Sequence, residues 1–458
     1  MTEFTRNEIE TAIGTKYEGA NVEKFTDVTT DTRKITKGSL FIALKGEKFN
    51  GEDFAFEAVE KGAAGVVVSK ECSAKLSDKG AIFKVTDTLL AYQQIAHVWR
   101  MKFDIPLIAI TGSNGKTTTK ELVATALSPL GEIHKTAANF NNEVGLPLTL
   151  LGITENHKAA VVEIGMRGLC QIEKLAPIAA PNIGIVTNVG ETHIELLGSI
   201  ENIAKAKSEL VEAISSGGVV ILNRDDKFVY DMRNKVNNNV KVITYGIQNT
   251  ADVRAVDIEY DGLATKFTVV CNEKNYGYEL PMAGEHNVYN ALAAIATGVY
   301  LNVSHEDMRT ALSMAKNAKM RFEVSEKDGI TFINDAYNAS PLSMRAALST
   351  MSKTYHGRKI AVLGDMFELG EAEQEAHKKV GEEVAEFGID ILITLGERGK
   401  IIAEGAKSKG VKSVTSVSTH KEAADILKQV MIKGDTVLIK GSRGMEMEKV
   451  FEFLLCIK

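Results

Sequence analysis

The chain of 458 residues has no uncharged apolar run approaching the ~20 residues of a membrane-spanning helix, so no membrane span is expected. It has no surplus of positive charge either, with 54 Lys and Arg against 60 Asp and Glu and a net charge of −6. That balance excludes a general nucleic-acid binder or a protein drawn to acidic membranes, and any anionic ligand must be held by local groups. The four cysteines, Cys72, Cys170, Cys271 and Cys456, form no C-x-x-C pair and no disulfide-like spacing, so they read as reduced thiols of a cytoplasmic protein. The polar start, Met1-Thr2-Glu3-Phe4-Thr5-Arg6-Asn7-Glu8, lacks the basic end and apolar stretch of a secretory signal and agrees with that location. No repeat or low-complexity segment is visible. With 44% hydrophobic and 25% charged residues, the composition is that of an ordinary globular protein.

At this length about three domains are expected. Residues 1–104 carry short β/α units, with strands over 40–44 and 66–68 and a helix over 54–61. Pro106 disfavours helix in the residue before it, which places a boundary after Asp104. From 105 to 319 apolar strands at 107–110, 159–162, 183–187 and 219–222 alternate with helices such as 200–214, the pattern of a doubly wound, mostly parallel sheet. A second series, with strands near 331–334, 359–363, 391–394 and 436–439, fills 320–458 as a Rossmann-like α/β domain.

The most informative segment is 106–127. The apolar run Leu107-Ile108-Ala109-Ile110 empties into Thr111-Gly112-Ser113-Asn114-Gly115-Lys116-Thr117-Thr118-Thr119, and Lys116 opens a helical pattern with Thr119, Leu122, Val123, Ala126 and Leu127 on one face. Pro129 ends it. A glycine-rich turn at a helix N-terminus presents backbone N–H groups and the positive end of the helix dipole to a polyphosphate. Lys116 would reach the terminal phosphates and Thr117 would sit on Mg²⁺, as in P-loops, although only Ser113 and Asn114 separate the two glycines.

Two further strands end in groups that suit a metal. Residues 159–162 run into Glu163-Ile164-Gly165-Met166, and 183–187 run into Asn188-Val189-Gly190-Glu191-Thr192-His193. A doubly wound sheet gathers the loops carrying Thr117, Glu163 and His193 along one edge. A helix then carries Ala204-Lys205-Ala206-Lys207-Ser208-Glu209, which by itself reads as a charged, solvated face.

In this order, T-G-x-N-G-K-T, E-I-G-M, N-V-G-x-x-H and A-K-x-E resemble the ATP-dependent Mur ligases over essentially the whole chain. Asn139-Phe140-Asn141-Asn142-Glu143-Val144-Gly145, Gly284-Glu285-His286-Asn287, Asp335-Ala336-Tyr337-Asn338-Ala339-Ser340-Pro341, Leu363-Gly364-Asp365-Met366 and Lys440-Gly441-Ser442-Arg443 are similar to segments of the members that add D-alanyl-D-alanine.

The resemblance implies an N-terminal UDP-sugar-binding domain, a central ATP-binding domain and the C-terminal domain already described. It implies the substrates UDP-N-acetylmuramoyl-tripeptide and D-alanyl-D-alanine, with ATP and Mg²⁺ as cofactors. Catalysis would then rest on Lys116, Glu163, His193 and Lys207, with Lys207 carbamylated and Thr117, Glu163 and His193 on metal. ATP would be held by Gly112, Asn114, Gly115, Lys116, Thr117, Thr118, Asn287, Asn290, Arg321 and Asp335. The remaining substrates would meet Asp31, Thr32, Arg33 and Lys45 in the leading domain, Asn139 and Asn142 in the central one, and Asn338, Ser340, Lys440, Ser442 and Arg443 in the last. Chemically, transfer of the γ-phosphoryl group would turn a carboxylate into an acyl phosphate that the dipeptide amine attacks. A monomer is expected. The competing readings are a related ligase with a different amino acid acceptor or a folate substrate, and a P-loop regulatory ATPase that needs no acceptor amine.

Overall fold

The computed structural model describes residues 3–46, 49–74 and 79–455, so Met1, Thr2 and Cys456 lie outside the described residues. The chain folds as three α/β units. The quartet from Leu107 to Ile110 is wholly buried in the strand Leu107–Thr111, as a strand covered on both faces requires. That strand lies between His157–Glu163 and Ile183–Val186 in a nine-stranded sheet. Glu163 pairs with Ile110 and Val186 with Thr111, so the three strands end level. From Leu107–Thr111 the chain first builds one side, through Glu132–Lys135 and His157–Glu163, and then crosses to Ile183–Val186, Val219–Asn223 and Lys241–Gly246 on the other. The loops diverge where the order reverses, which opens a crevice at the carboxyl ends of these strands.

The helix Lys116–Leu127 buries Thr119, Leu122, Val123, Ala126 and Leu127 as its spacing predicts, and it buries Lys120 as well. Pro129 sits in a short 3-10 turn, Ser128–Leu130, that stops it. The far side of the sheet holds a feature that the βα reading passes over. Val253–Asp261, Ala264–Cys271 and Lys274–Leu280 form an antiparallel extension. It buries alternate residues, Val253, Ala255, Phe267, Val269, Tyr278 and Leu280, in the same core as helix Glu285–Tyr300.

The leading unit is a five-stranded sheet, parallel except for its edge strand Tyr17–Gly19. One core runs without a break from Phe4 through Trp99 to Met232 and joins this unit to the central sheet. The Phe4 and Trp99 rings lie 5.1 Å apart, and Trp99 Nε1 donates to Ile153 O at 3.0 Å. Helix Thr88–Arg100 stops ahead of Pro106, and the Arg100 guanidinium donates to Phe103 O (2.6 Å) and Ile105 O (3.0 Å), tying down the turn before that proline.

The last unit is a six-stranded sheet in the order Glu323–Lys327, Ile330–Asp335, Thr436–Lys440, Lys359–Gly364, Ile391–Leu395, Ser413–Val417, parallel apart from its first hairpin. The chain enters it through Met320 and Phe322, both in the left-handed region at φ 56° and 48°. Its carboxyl edge faces the crevice of the central sheet, where Ser340 Oγ donates to Asn114 Oδ1 at 3.0 Å.

Candidate active site

The turn from Leu107–Thr111 into its helix tolerates only glycine at two points. Gly112 has φ +151° and a Cβ there would lie 1.8 Å from Thr187 Oγ1, while Gly115 has φ +82° and its Cβ would lie 2.6 Å from Asn290 Oδ1. The neighbouring strand loop clamps the turn. Ser113 N donates to Asn188 O (2.9 Å), Asn114 N to Asn188 Oδ1 (2.9 Å) and Thr187 Oγ1 to Asn114 O (2.7 Å). The helix N-terminus thus opens on a cavity of about 490 Å³. Of the residues expected to hold ATP, Asn114, Gly115, Thr117, Thr118, Asn287, Asn290, Arg321 and Asp335 all line it. Gly112 lies beneath the turn, and Lys116 curls back so that Nζ donates to Gly112 O (2.7 Å) and Ser113 O (3.4 Å). Burial pulls the Lys116 pKa down to about 8, with Glu163 opposing and Arg321 adding to the fall.

Beside the turn, Glu163 is 1% exposed. Its Oε2 accepts from Thr117 Oγ1 (3.4 Å) and Asn141 Nδ2 (3.5 Å), while its Oε1 has no hydrogen-bond partner among the described residues and lies 3.4 Å from Lys120 Nζ. A buried carboxylate whose Oε2 stands beside the Thr117 hydroxyl is a hard-oxygen donor pair, which fits Mg²⁺. His193 lies close enough to Lys116 and Lys207 for their charges to act on its ring. It sits in the left-handed region ahead of helix Ile194–Leu197, and its Nδ1 pairs with Glu368 Oε2 of the last unit. Among the described residues no three His, Cys, Asp or Glu side chains converge as a metal cage. Lys207 is 2% exposed whereas Lys205 is exposed, because the helix Ile200–Glu212 turns the first inward and the second out. Burial, and then the charge of Lys116, push the Lys207 amine well below the usual lysine range.

At the other end of the cavity, Asn290 Nδ2 donates to Asn287 Oδ1 (3.2 Å) and Asn287 Nδ2 to Ala283 O (2.8 Å). The Arg321 guanidinium lies over the Tyr337 ring at 3.9 Å with a buried, unpaired Nε. Asp335 accepts from Phe322 N (3.1 Å) and from Lys440 Nζ (2.6 Å), so Lys440, expected at the dipeptide, lines the nucleotide cavity. Ser340 caps helix Pro341–Thr354 while touching Asn114. Ser442 Oγ accepts from Phe367 N (2.9 Å), Asn338 Oδ1 accepts from Arg443 N (3.4 Å), and the Arg443 guanidinium pairs with Glu448 (2.7 Å). These three brace the loops at the rim.

The remaining expected positions lie away from the cavity. Asp31 caps the turn Thr32–Lys34, and the largely exposed Arg33 grips it through Nε (2.9 Å) and Nη2 (2.8 Å), which holds the Asp31 carboxyl below its usual range. Lys45 is exposed and bridges to Asn50. Asn142 Oδ1 caps helix Gly145–Leu151 by accepting from Gly145 N (2.8 Å), and Asn139 is exposed on the same loop. Sequence reasoning missed Asn141, Lys120, Asn188, His286 and Glu368. Asn141 and His286 stand inside motifs that carry the resemblance, which was a usable signal. Nothing local marks Glu368 or the inward turn of Lys120.

Three family models match the chain: the Mur ligase family catalytic domain over residues 24–100, the Mur ligase middle domain over 110–298 and the Mur ligase glutamate ligase domain over 320–443. The chain is 40% identical to a UDP-N-acetylmuramoyl-tripeptide–D-alanyl-D-alanine ligase of Bacillus subtilis strain 168, covering 93% of each, and 32% identical to the Escherichia coli K12 protein of that name, covering 99% of each. It superposes on a crystal structure of MurF from Acinetobacter baumannii with TM-score 0.92 at 31% identity and 99% coverage of both chains. The MurF ligase of Thermotoga maritima in complex with ADP gives 0.84 at 27% identity, covering 93% and 96%. The chain belongs to the Mur ligase family.

Proposed function

We propose that this protein is the ATP-dependent ligase that joins D-alanyl-D-alanine to UDP-N-acetylmuramoyl-tripeptide in peptidoglycan precursor synthesis. Relatives named for that reaction match nearly end to end. The observation that carries the chemistry is the single cavity in which the glycine turn of the central unit meets Arg321, Asp335 and Lys440 of the last. The N–H groups at the start of helix Lys116–Leu127 would hold the phosphates of ATP, and Asn287 and Asn290 would meet its base. Lys116 leaves its own carbonyls for the phosphates, and Arg321 approaches from the opposite wall. Thr117 and Glu163, with His193 nearby, would hold Mg²⁺, which would supply charge neutralisation for the transferring phosphoryl group. The tripeptide carboxylate takes the γ-phosphoryl group, forming an acyl phosphate and ADP. The dipeptide amine then attacks the acyl carbon and phosphate leaves. Burial holds the Lys207 amine well below the usual lysine range, which favours the form that adds CO₂, and a carbamate there would bring a carboxylate to the metal side.

Reactants drawn from the ATP and nucleotide-sugar pools support a cytoplasmic reaction. Among the described residues no helix is long and apolar enough to cross a membrane. Phosphate release from ATP and Mg²⁺ with UDP-N-acetylmuramoyl-tripeptide, with and without D-alanyl-D-alanine, tests the proposal. Dipeptide-dependent release with the matching gain in product mass is expected. Release indifferent to the dipeptide overturns it.

A further inference from the structure

One buried charge beside the metal-side carboxylate has no part in the chemistry above. Lys120 stands one turn beyond Lys116 and is 2% exposed. Its Nζ donates to Thr136 O at 2.6 Å and lies 3.1 Å from Glu121 Oε1 and 3.4 Å from Glu163 Oε1. Thr136 also fixes the other partner, since its Oγ1 accepts from Glu163 N at 3.0 Å. The Glu163 carboxylate is therefore divided between two environments. Oε2 faces the hydroxyl of Thr117 and the amide of Asn141, and Oε1 faces an ammonium that cannot leave for solvent.

We propose that Lys120 is a positioning residue that restricts Glu163 to one metal-facing oxygen and so selects Mg²⁺ against Ca²⁺. This rests on the reading that Thr117 and Glu163 hold a divalent cation. Mg²⁺ is small, keeps an octahedral shell with several waters, and is served by a carboxylate giving one oxygen. Ca²⁺ takes more oxygens at longer distance and gains from a carboxylate that gives both. An ammonium on Oε1 repels a cation that would bridge the two oxygens and leaves the one-oxygen arrangement untouched.

The test is calorimetric titration of the full chain, bound to a non-hydrolysable ATP analogue, with Mg²⁺ or Ca²⁺, corrected for metal taken by the free analogue. Lys120→Met, of similar length and no charge, should raise the Ca²⁺ affinity relative to Mg²⁺ by about tenfold, the size of one contact to a charged group. Lys120→Arg should keep the wild-type ratio. An unchanged ratio in Lys120→Met, or an equal shift for both ions, overturns the proposal, since a merely structural lysine alters stability and not the ratio. Glu163→Gln separates the two readings. If it binds both ions as wild type does, the metal reading of Thr117 and Glu163 has failed; if it weakens both while Lys120→Met keeps the ratio, only the role of Lys120 has. Should Lys120→Met not fold, Lys120→Gln, which keeps a donor for Thr136 O, is titrated in its place.

Discussion

Among the described residues Lys116 has only the carbonyls of Gly112 and Ser113 as hydrogen-bond partners, and burial has brought its ammonium down to about 8. A polyphosphate in the cavity offers it oxygens of full charge, so its contribution rises as charge builds during phosphoryl transfer. Lys116→Met should therefore lower kcat by about 10²- to 10³-fold, the scale of one lost transition-state donor, with the melting temperature little changed. Phosphate release and thermal unfolding, run side by side, check this. Lys205 and Lys207 make a sharper pair, because two residues of sequence separate a solvated side chain from a buried one. Lys205→Ala should leave the rate near wild type. Lys207→Ala should lose about 10- to 100-fold, as when a group supporting a metal site is removed, and ¹³C-labelled bicarbonate should give a carbamate resonance in wild type that the Lys207 variant lacks.

Among the elements, helix Pro341–Thr354 ties the last unit to the nucleotide turn through its first residue. Ser340 Oγ accepts from Ser343 N at 3.4 Å as an N-cap and donates to Asn114 Oδ1 at 3.0 Å. Ser340→Ala removes both, costing about 1 kcal/mol of cap and loosening the wall that Asn114 presents to ATP. The expected result is a modest drop in melting temperature with a raised KM for ATP, and Ser340→Thr should restore both. Normal ATP binding in Ser340→Ala would confine the residue to capping. Ser340 also shows how far the sequence was legible. A serine before proline announces a helix start, and the quartet from Leu107 to Ile110 followed by Gly112 and Gly115 announces a strand, a phosphate turn and a helix, because these are local signals of period and backbone freedom. That the cap would meet Asn114, that Glu368 would take His193, and that Lys120 would face Glu163 depend on how distant segments pack, which no local pattern encodes. The antiparallel extension 253–280 was missed for a related reason. Its buried faces alternate with Arg254, Glu259, Lys266 and Glu279, and the eye set on parallel βα units passes over half-buried strands.

For the molecule as a whole, several histidines are held below their ordinary range chiefly by burial, and these should weaken the fold in acid. His134 and His377 lie below their ordinary value chiefly through burial, as does His305 where it meets the Tyr278 hydroxyl. His286, in the wall between the central and last units, is pushed down to about 4, with Asp335 opposing and Lys440 adding to the fall. The unfolded chain binds a proton at each of these near pH 6.5, while the folded chain refuses it until lower pH. Their stabilisation is therefore complete above about pH 6.5 and is lost as pH falls below it, for His286 down to about 4. For His286 alone the loss is about 2 kcal/mol by pH 5. Asp226 and Glu383, raised by burial, act in the opposite sense but over the lower carboxylate range. The melting temperature should hold steady from pH 8 to about 6.5 and then decline, followed by circular dichroism in buffers of constant ionic strength. His286→Asn, which keeps a polar side chain that does not titrate, should start lower and decline less steeply across the same interval. A wild-type melting temperature that stays flat to pH 5, or a His286→Asn slope equal to wild type, would show that these rings are not what fails first in acid.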